Sequence, residues 1–205
     1  MTEALGFIGD IHGESKLLTE LLPVALLRAR RLVFLGDYVD RGPDSFGVLE
    51  ILCNLAESKE GHVFLRGNHD DAMADAIDHG RVDQYLRQGG AGTVAQYVQH
   101  PEPDLTAQFA ASVPARHRKF LHELQDSFAA HDVSASHVPP RSSGSIATFH
   151  VSAHRPHGSF EPLVSDREAW IDTGAGTMPG GRLTCLFWPS MAWIQTTPAT
   201  VSAAF

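Results

Sequence analysis

Three short apolar runs, each ending in a glycine followed by side chains that ligate or titrate, constrain this chain more than any other feature. Leu5–Ile8 leads into Gly9-Asp10-Ile11-His12-Gly13, and residues 32–35 lead into Gly36-Asp37-Tyr38-Val39-Asp40-Arg41-Gly42. Residues 63–65 lead into Arg66-Gly67-Asn68-His69-Asp70. Uninterrupted apolar runs of this length, bounded by glycine, read as strands buried on both faces. Between them the apolar residues recur at helical spacing. Leu17, Leu18, Leu21 and Leu22 precede Pro23, which is expected to stop the first helix, and Val48, Leu49, Ile51, Leu52 and Leu55 follow Pro43. Strands alternating with helices predict an α/β sheet with polar loops at the carboxyl ends of its strands.

Residues 71–125 read mostly as short helices, carried by Tyr85 and Leu86, then Val94, Tyr97 and Val98. Another helix opens at Pro114 and runs through Phe120, Leu121 and Leu124. From Val133 the pattern returns to β, with strands expected at 133–136, 147–152, 169–172, 182–187 and 192–196. Residues 138–145, VPPRSSGS, have the composition of a loop. No repeat or linker divides the chain, so one domain over residues 1–205 is expected.

The charge balance narrows the function classes. Asp and Glu number 24 against 16 Lys and Arg, a formal net charge of −8. Such a chain as a whole has no pull on nucleic acid or an anionic membrane, although a local basic pocket is compatible with it. The two cysteines, Cys53 and Cys185, are far apart and lack any CxxC partner, which fits a reducing, cytoplasmic setting. The opening residues carry no secretory pattern, and no apolar run is long enough for a membrane span.

Chemistry is suggested by spacing. Asp10 and His12 stand two apart, so in extended backbone they face one way and can grip one cation. Carboxylate, imidazole and amide oxygen together suit Mn²⁺, Fe or Zn²⁺ better than a thiolate-selected metal. Each motif alone is an ordinary turn: GDxHG commonly precedes a helix, and GNHD is an asparagine turn. All three in this order, each closing an apolar strand, are hard to explain as turns.

Here GDIHG, GDYVDRGPDS and LRGNHD resemble the three core motifs of the calcineurin-like metallophosphoesterases, especially the phosphoprotein phosphatases and their bacterial relatives. YLRQGGAGTVAQY is similar to that family's W-L-x-x-G-G-x-x-T-L-x-x-Y segment, AHRPHG to its G-H-T-P turn, and IDTGAG with GGRLTCL to its closing strand pair. The resemblance implies an α/β fold of two facing mixed β-sheets flanked by helices, a four-layer αββα sandwich. It also implies two divalent metal ions. Asp10 and His12 would hold the first, Asp37 would bridge both, and Asn68 with two later histidines would hold the second. His154 fills the G-H-T position. For the other histidine, His137 closes an apolar strand at a suitable distance, and His131 is the alternative. His62, His79, His100, His117 and His122 are expected at the surface.

The resemblance further implies direct attack on phosphorus by a water deprotonated between the metals. His69 would be the general acid, Asp40 would orient it, and Arg41, Arg66 and Asn68 would bind the substrate phosphate. A structural ion pair with Asp40 or Asp70 is the competing role for Arg66, and Asp70 is expected to be supporting structure. The sequence departs from the family between His137 and His154. Only 16 residues separate them, where the family carries a longer insert with a W-x-R arginine that clamps phosphate; Arg141 and Arg155 are candidate replacements. The family threonine after the last histidine is Arg155 here. Three functions follow as expectations. They are a serine/threonine protein phosphatase, a hydrolase of dinucleoside polyphosphates or other small phosphoesters, and an inactive scaffold.

Overall fold

The computed structural model describes residues 5–58, 60–139 and 148–198. Strands form where the first three apolar runs put them. β1 (Leu5–Ile8), β2 (Arg31–Phe34) and β3 (Val63–Phe64) lie side by side in parallel. Parallel neighbours need crossover connections, which α1 (Ser15–Arg28) and α2 (Ser45–Glu57) supply. Asp44 caps α2, its carboxylate accepting from the Gly47 N–H at 2.8 Å.

Pro23 does not stop α1, contrary to the sequence expectation. The helix continues through it to Arg28, with the ring on the exposed side. Proline in a helix interior costs about 3 kcal/mol. Burying Leu17, Leu18, Leu21, Leu22 and Ala25 on the other side opposes that cost, at about 1.5–3 kcal/mol per large side chain. Burial wins.

The following segment is helical, as its spacing predicts. It comprises α3 (Asn68–His79), α4 (Val82–Tyr85), a π-helical turn at Leu86–Gly90, α5 (Ala91–Tyr97), α6 (Leu105–Ser112) and α7 (Ala115–His122). The remaining strands are β4 (Phe128–Ala130), β5 (Val133–Ala135), β6 (Phe149–Ser152), β7 (Leu163–Val164), β8 (Glu168–Trp170), β9 (Leu183–Trp188) and β10 (Trp193–Thr196). They complete two mixed five-stranded sheets, ordered β10-β9-β1-β2-β3 and β4-β5-β6-β8-β7.

Alternation along the strands joins the sheets face to face. Phe7, Val33 and Leu35 of the first sheet meet Val133, Ala135, Phe149, Val151 and Ile171 of the second in one buried cluster. The Phe7 and Phe128 rings meet edge-on at 6.3 Å. The opposite face of the first sheet, carrying Ile8, Leu32 and Phe34, packs with α1 and α2 through Leu18, Leu49 and Leu52. The fold is thus two facing mixed sheets flanked by helices. It leaves the carboxyl ends of β1, β2 and β3 at one rim, beside the end of β5.

Two histidines assigned to the surface lie inside. His117 is fully buried, with Nε2 on Glu50 Oε1 at 2.7 Å and Nδ1 on the Tyr97 hydroxyl at 2.8 Å. The His62 side chain is covered as well, and its Nδ1 accepts the Leu32 N–H. In both cases a nearby polar partner makes burial tolerable. Cys53 and Cys185 are free and buried.

Candidate metal centre

The loops after β1, β2 and β3 are tied to one another before any ligand is considered. The Ile11 and His12 N–H groups donate to the Asp37 carbonyl at 3.1 and 2.9 Å, Gly13 donates to Tyr38, and Gly42 donates back to His12. This stitching holds unusual backbone. His12, Asp37, Asp40, Arg41 and His154 all have positive φ, from 44° to 72°. Such conformations cost non-glycine residues free energy and persist only where the surroundings impose them. Five candidate site residues therefore share a strain that residue type alone does not reveal.

Their side chains converge on Asp37. Its Oδ1 accepts the His69 N–H at 2.9 Å, at the start of α3. Its Oδ2 lies 3.6 Å from His12 Nε2 and 3.3 Å from His137 Nε2. Ligand atoms of His12, Asp37 and His69 lie within 4.8 Å of one another, and so do those of Asp37, His137 and His154. Asp37 belongs to both groups. Asp10 flanks them, 3.8 Å from His12 Nε2, and accepts the His154 N–H at 3.3 Å.

The histidine rings are oriented from behind. His12 Nδ1 sits on the Val39 carbonyl at 3.0 Å and His137 Nδ1 on the Leu35 carbonyl at 2.9 Å. Those contacts place the N–H at Nδ1 and turn the Nε2 lone pair inward. Burial, with the His69 charge adding, lowers the His12 pKa to about 4 against the pull of Asp37, which keeps a neutral, ligating imidazole. His137 Nε2 also lies 3.3 Å from Asn68 Oδ1 and 3.0 Å from His154 Nδ1. His137 therefore stands with Asp37, Asn68 and His154. His131 lies in the turn between β4 and β5, at the other end of β5.

His69 and Asp40 form a second arrangement. His69 Nδ1 meets Asp40 Oδ2 at 2.7 Å, and the other oxygen, Oδ1, accepts from the Tyr85 hydroxyl and the Thr93 hydroxyl, each at 2.6 Å. Burial disfavours the His69 cation, but the Asp40 hydrogen bond and the Asp37 and Asp40 charges outweigh it and raise its pKa. Tyr85 and Thr93 come from the YLRQGGAGTVAQY segment, and sequence reasoning gave them no role. Gly90 is required there, because a Cβ would lie 2.6 Å from the Tyr85 ring.

Arg66 does not face this centre. Its Nη1 is on Asp71 at 2.9 Å, its Nη2 on the Leu124 carbonyl at 2.9 Å, and its Nε 3.4 Å from Asp126. The ion-pair alternative describes it, although the partners are Asp71 and Asp126 rather than Asp40 or Asp70. Arg41 is exposed, with no carboxylate in reach among the described residues. Asp70 supports the loops, accepting the Asp37, Tyr38 and Gly67 N–H groups at 2.8, 2.9 and 3.0 Å. Arg155 is exposed beside His154, and Arg141 lies outside the described residues.

Charge balance tests whether cations fit. Asp10, Asp37, Asp40, Asp70 and Asp172 are buried at 1–3% exposure, and no lysine or arginine is buried among the described residues. Buried carboxylates without cations carry a heavy desolvation cost. Burial pushes Asp10 well above the ordinary carboxylate range, and the charges of Asp172 and Asp37 add to it. Asp172 lies two residues beyond β8 and was missed in the sequence reading. Its Oδ1 accepts the Gly174 N–H, its carboxyl lies against that of Asp10, and its buried Oδ2 meets no N–H or hydroxyl donor. Converging lone pairs, excess buried negative charge and an orphaned oxygen are the environment that divalent cations satisfy. The donor set fits them.

Comparison with known proteins agrees. The model of the calcineurin-like phosphoesterase family matches residues 4–153, and the chain belongs to that family. Serine/threonine-protein phosphatase 2 of Escherichia coli (strain K12) is 33% identical over 85 residues, which are 40% of this chain and 37% of that protein. The asymmetrical bis(5'-nucleosyl)-tetraphosphatase of Geobacillus thermodenitrificans (strain NG80-2) is 39% identical over 75 residues, 32% of this chain and 30% of that protein. The chain thus matches about a third of the length of these relatives. A crystal structure of a protein put forward as a diadenosine tetraphosphatase aligns over 98% of this chain and 96% of its own, with a TM-score of 0.67 at 20% identity. A metallophosphoesterase from Sphaerobacter thermophilus aligns over 96% and 88%, with a TM-score of 0.57 at 17% identity. At such identities the solved structures establish the fold.

Proposed function

We propose that this chain is a metal-dependent phosphoesterase that hydrolyses phosphomonoesters, with serine/threonine protein phosphatase-like activity, working as one domain in the cytoplasm. The observation that carries the reading is the cluster of inward-facing ligand atoms on Asp37 beside the buried His69–Asp40 pair. Asp10 and His12 would hold one divalent cation, Asn68, His137 and His154 the other, and Asp37 both. Mn²⁺ is the favoured metal, with Fe or Zn²⁺ as substitutes, because the donors are carboxylate, imidazole and amide without thiolate. When bound, such cations polarise phosphate oxygens and activate water.

The chain's own groups do the rest. Asp40, fixed by Tyr85 and Thr93, holds His69 through Nδ1 and leaves Nε2 for the leaving oxygen of the ester. A pKa raised by that contact keeps a proton on His69 to give. Arg41, free of carboxylate partners among the described residues, can meet the equatorial phosphate oxygens with its forked donors.

A second reading, hydrolysis of dinucleoside polyphosphates or other small phosphoesters, is supported by the tetraphosphatase relative. The inactive-scaffold reading has less support, since no ligand type of the family motifs is missing from the sequence. Turnover by the manganese-loaded protein of a phosphopeptide, a dinucleoside tetraphosphate and an aryl phosphate tests these readings. Hydrolysis of the aryl phosphate and phosphopeptide supports the first. Tetraphosphate cleavage alone favours the second, and inactivity on all three overturns both.

A further inference from the structure

Beside His69 the protein opens a cavity of about 580 Å³, formed by α3, α4 and the π-helical turn. That is the size of a small-molecule pocket, yet its lining is mostly polar. Arg41, Arg81 and Arg87 line it together with Asp71 and Asp75. The acids are already neutralised: Asp71 by Arg66 at 2.9 Å, and Asp75 by Arg81 at 2.6 Å. Arg41 and Arg87 have no carboxylate within ion-pair distance among the described residues, so two guanidinium groups face this cavity uncompensated. In a chain of net charge −8, that is a local reversal of sign.

Local backbone builds the arrangement. Gly89 has φ +107°, and a Cβ there would lie 3.3 Å from the Arg41 guanidinium carbon. Glycine suits residue 89 for its positive φ, and it lets the turn carrying Arg87 lie close to Arg41. The two tyrosines nearby are committed to the protein itself. Tyr85 is buried, its hydroxyl committed to Asp40, and Tyr38 is buried with its hydroxyl on the Leu65 carbonyl at 2.6 Å.

We propose that Arg87, beside Arg41, forms a subsite for a second phosphoryl group next to the one that Arg41 meets, so that the enzyme selects small phosphoesters carrying another phosphate beyond the one cleaved. This rests on the phosphoesterase reading in its second form, hydrolysis of small phosphoesters, and it assigns specificity to a residue outside the three loop motifs. Guanidinium groups meet phosphate with paired N–H donors, and their desolvation cost is low for a cation. One lost contact of this kind changes affinity by about tenfold or more.

The test is calorimetric binding of tripolyphosphate and inorganic phosphate to the full-length protein at fixed excess Mn²⁺, for wild type, Arg87→Ala and Arg87→Gln. Both anions meet the same metal centre, so their affinity ratio isolates the subsite. Wild type should prefer tripolyphosphate, and both variants should lose that preference by about tenfold or more. Equal ratios in wild type and variants, or no preference in wild type, overturn the proposal. Arg87 is exposed, and the two variants replace it differently, so an unfolded alanine variant leaves the glutamine variant to decide. Aryl phosphate turnover by wild type is measured alongside. Its absence with the anion preference intact would overturn the phosphoesterase reading and keep the subsite.

Discussion

Removing the donors that hold Asp40 should cost more in combination than singly. The Asp40 side chain is fully buried, and its Oδ1 accepts both the Tyr85 and the Thr93 hydroxyls at 2.6 Å. The Asp40 N–H donates to Ser45 Oγ, and Ser45 and Thr93 share a hydrogen at 2.9 Å. A hydroxyl has one proton, so if Thr93 gives its own to Asp40, Ser45 must donate to Thr93, and the three residues close a ring. Tyr85→Phe and Thr93→Val keep shape and remove one donor each. A hydrogen bond to a charged group is worth about 1.5–3 kcal/mol, and each single variant should lose that much. The double variant leaves a buried carboxylate oxygen without a donor, so its loss should exceed the sum by about 0.5–3 kcal/mol. Urea unfolding of the EDTA-treated proteins measures this, with unchanged slope as the check on two-state comparison. Single losses below about 0.5 kcal/mol with an additive double would show that Tyr85 and Thr93 merely neighbour Asp40.

Three further expectations follow from the same geometry. His69→Asn should keep its metal while kcat falls by about 10²–10⁴; metal loss, by elemental analysis, would make His69 a ligand, as its place near His12 and Asp37 allows. His137→Ala should lose metal and His131→Ala should retain it, because β5 carries the first to the rim and leaves the second in the β4–β5 turn; the reverse result would refute the assignment. Arg66→Ala should change KM less than about twofold and stability by no more than about 1 kcal/mol, since its partners are exposed acids and a carbonyl. A tenfold rise in KM would return Arg66 to the phosphate.

The site was legible where chemistry follows directly from a strand. Asp10, His12, Asp37, Asn68 and His69 each close an uninterrupted apolar run, so local pattern alone placed them at one rim. What required the folded chain was pairing over long separations. Tyr85 and Thr93 reach Asp40 from 45 and 53 residues away, and nothing near them in sequence marks them as donors. Asp172 follows a strand within a few residues, as Asp10 and Asp37 do, and that repeated pattern was the available signal. For Arg66 the ion pair was foreseen and its partners were not, because position in a motif says nothing of Asp126, which comes close through the Leu65–Gln125 bridge. Pro23 and His117 failed for one reason. Tertiary burial overrode a residue's usual preference, in the first case by the leucine face of α1 and in the second by Glu50 and Tyr97. β4 and β7, three and two residues long, have too little alternation to declare themselves.

The account turns on Asp37 as the shared carboxylate of a two-cation centre, and Mn²⁺ stoichiometry by equilibrium dialysis addresses it most directly. Wild type should bind two ions per chain, and Asp37→Asn should lose both, because the same side chain completes each group of ligands. A wild type that binds no Mn²⁺, or an Asp37→Asn variant that keeps both ions, would contradict it.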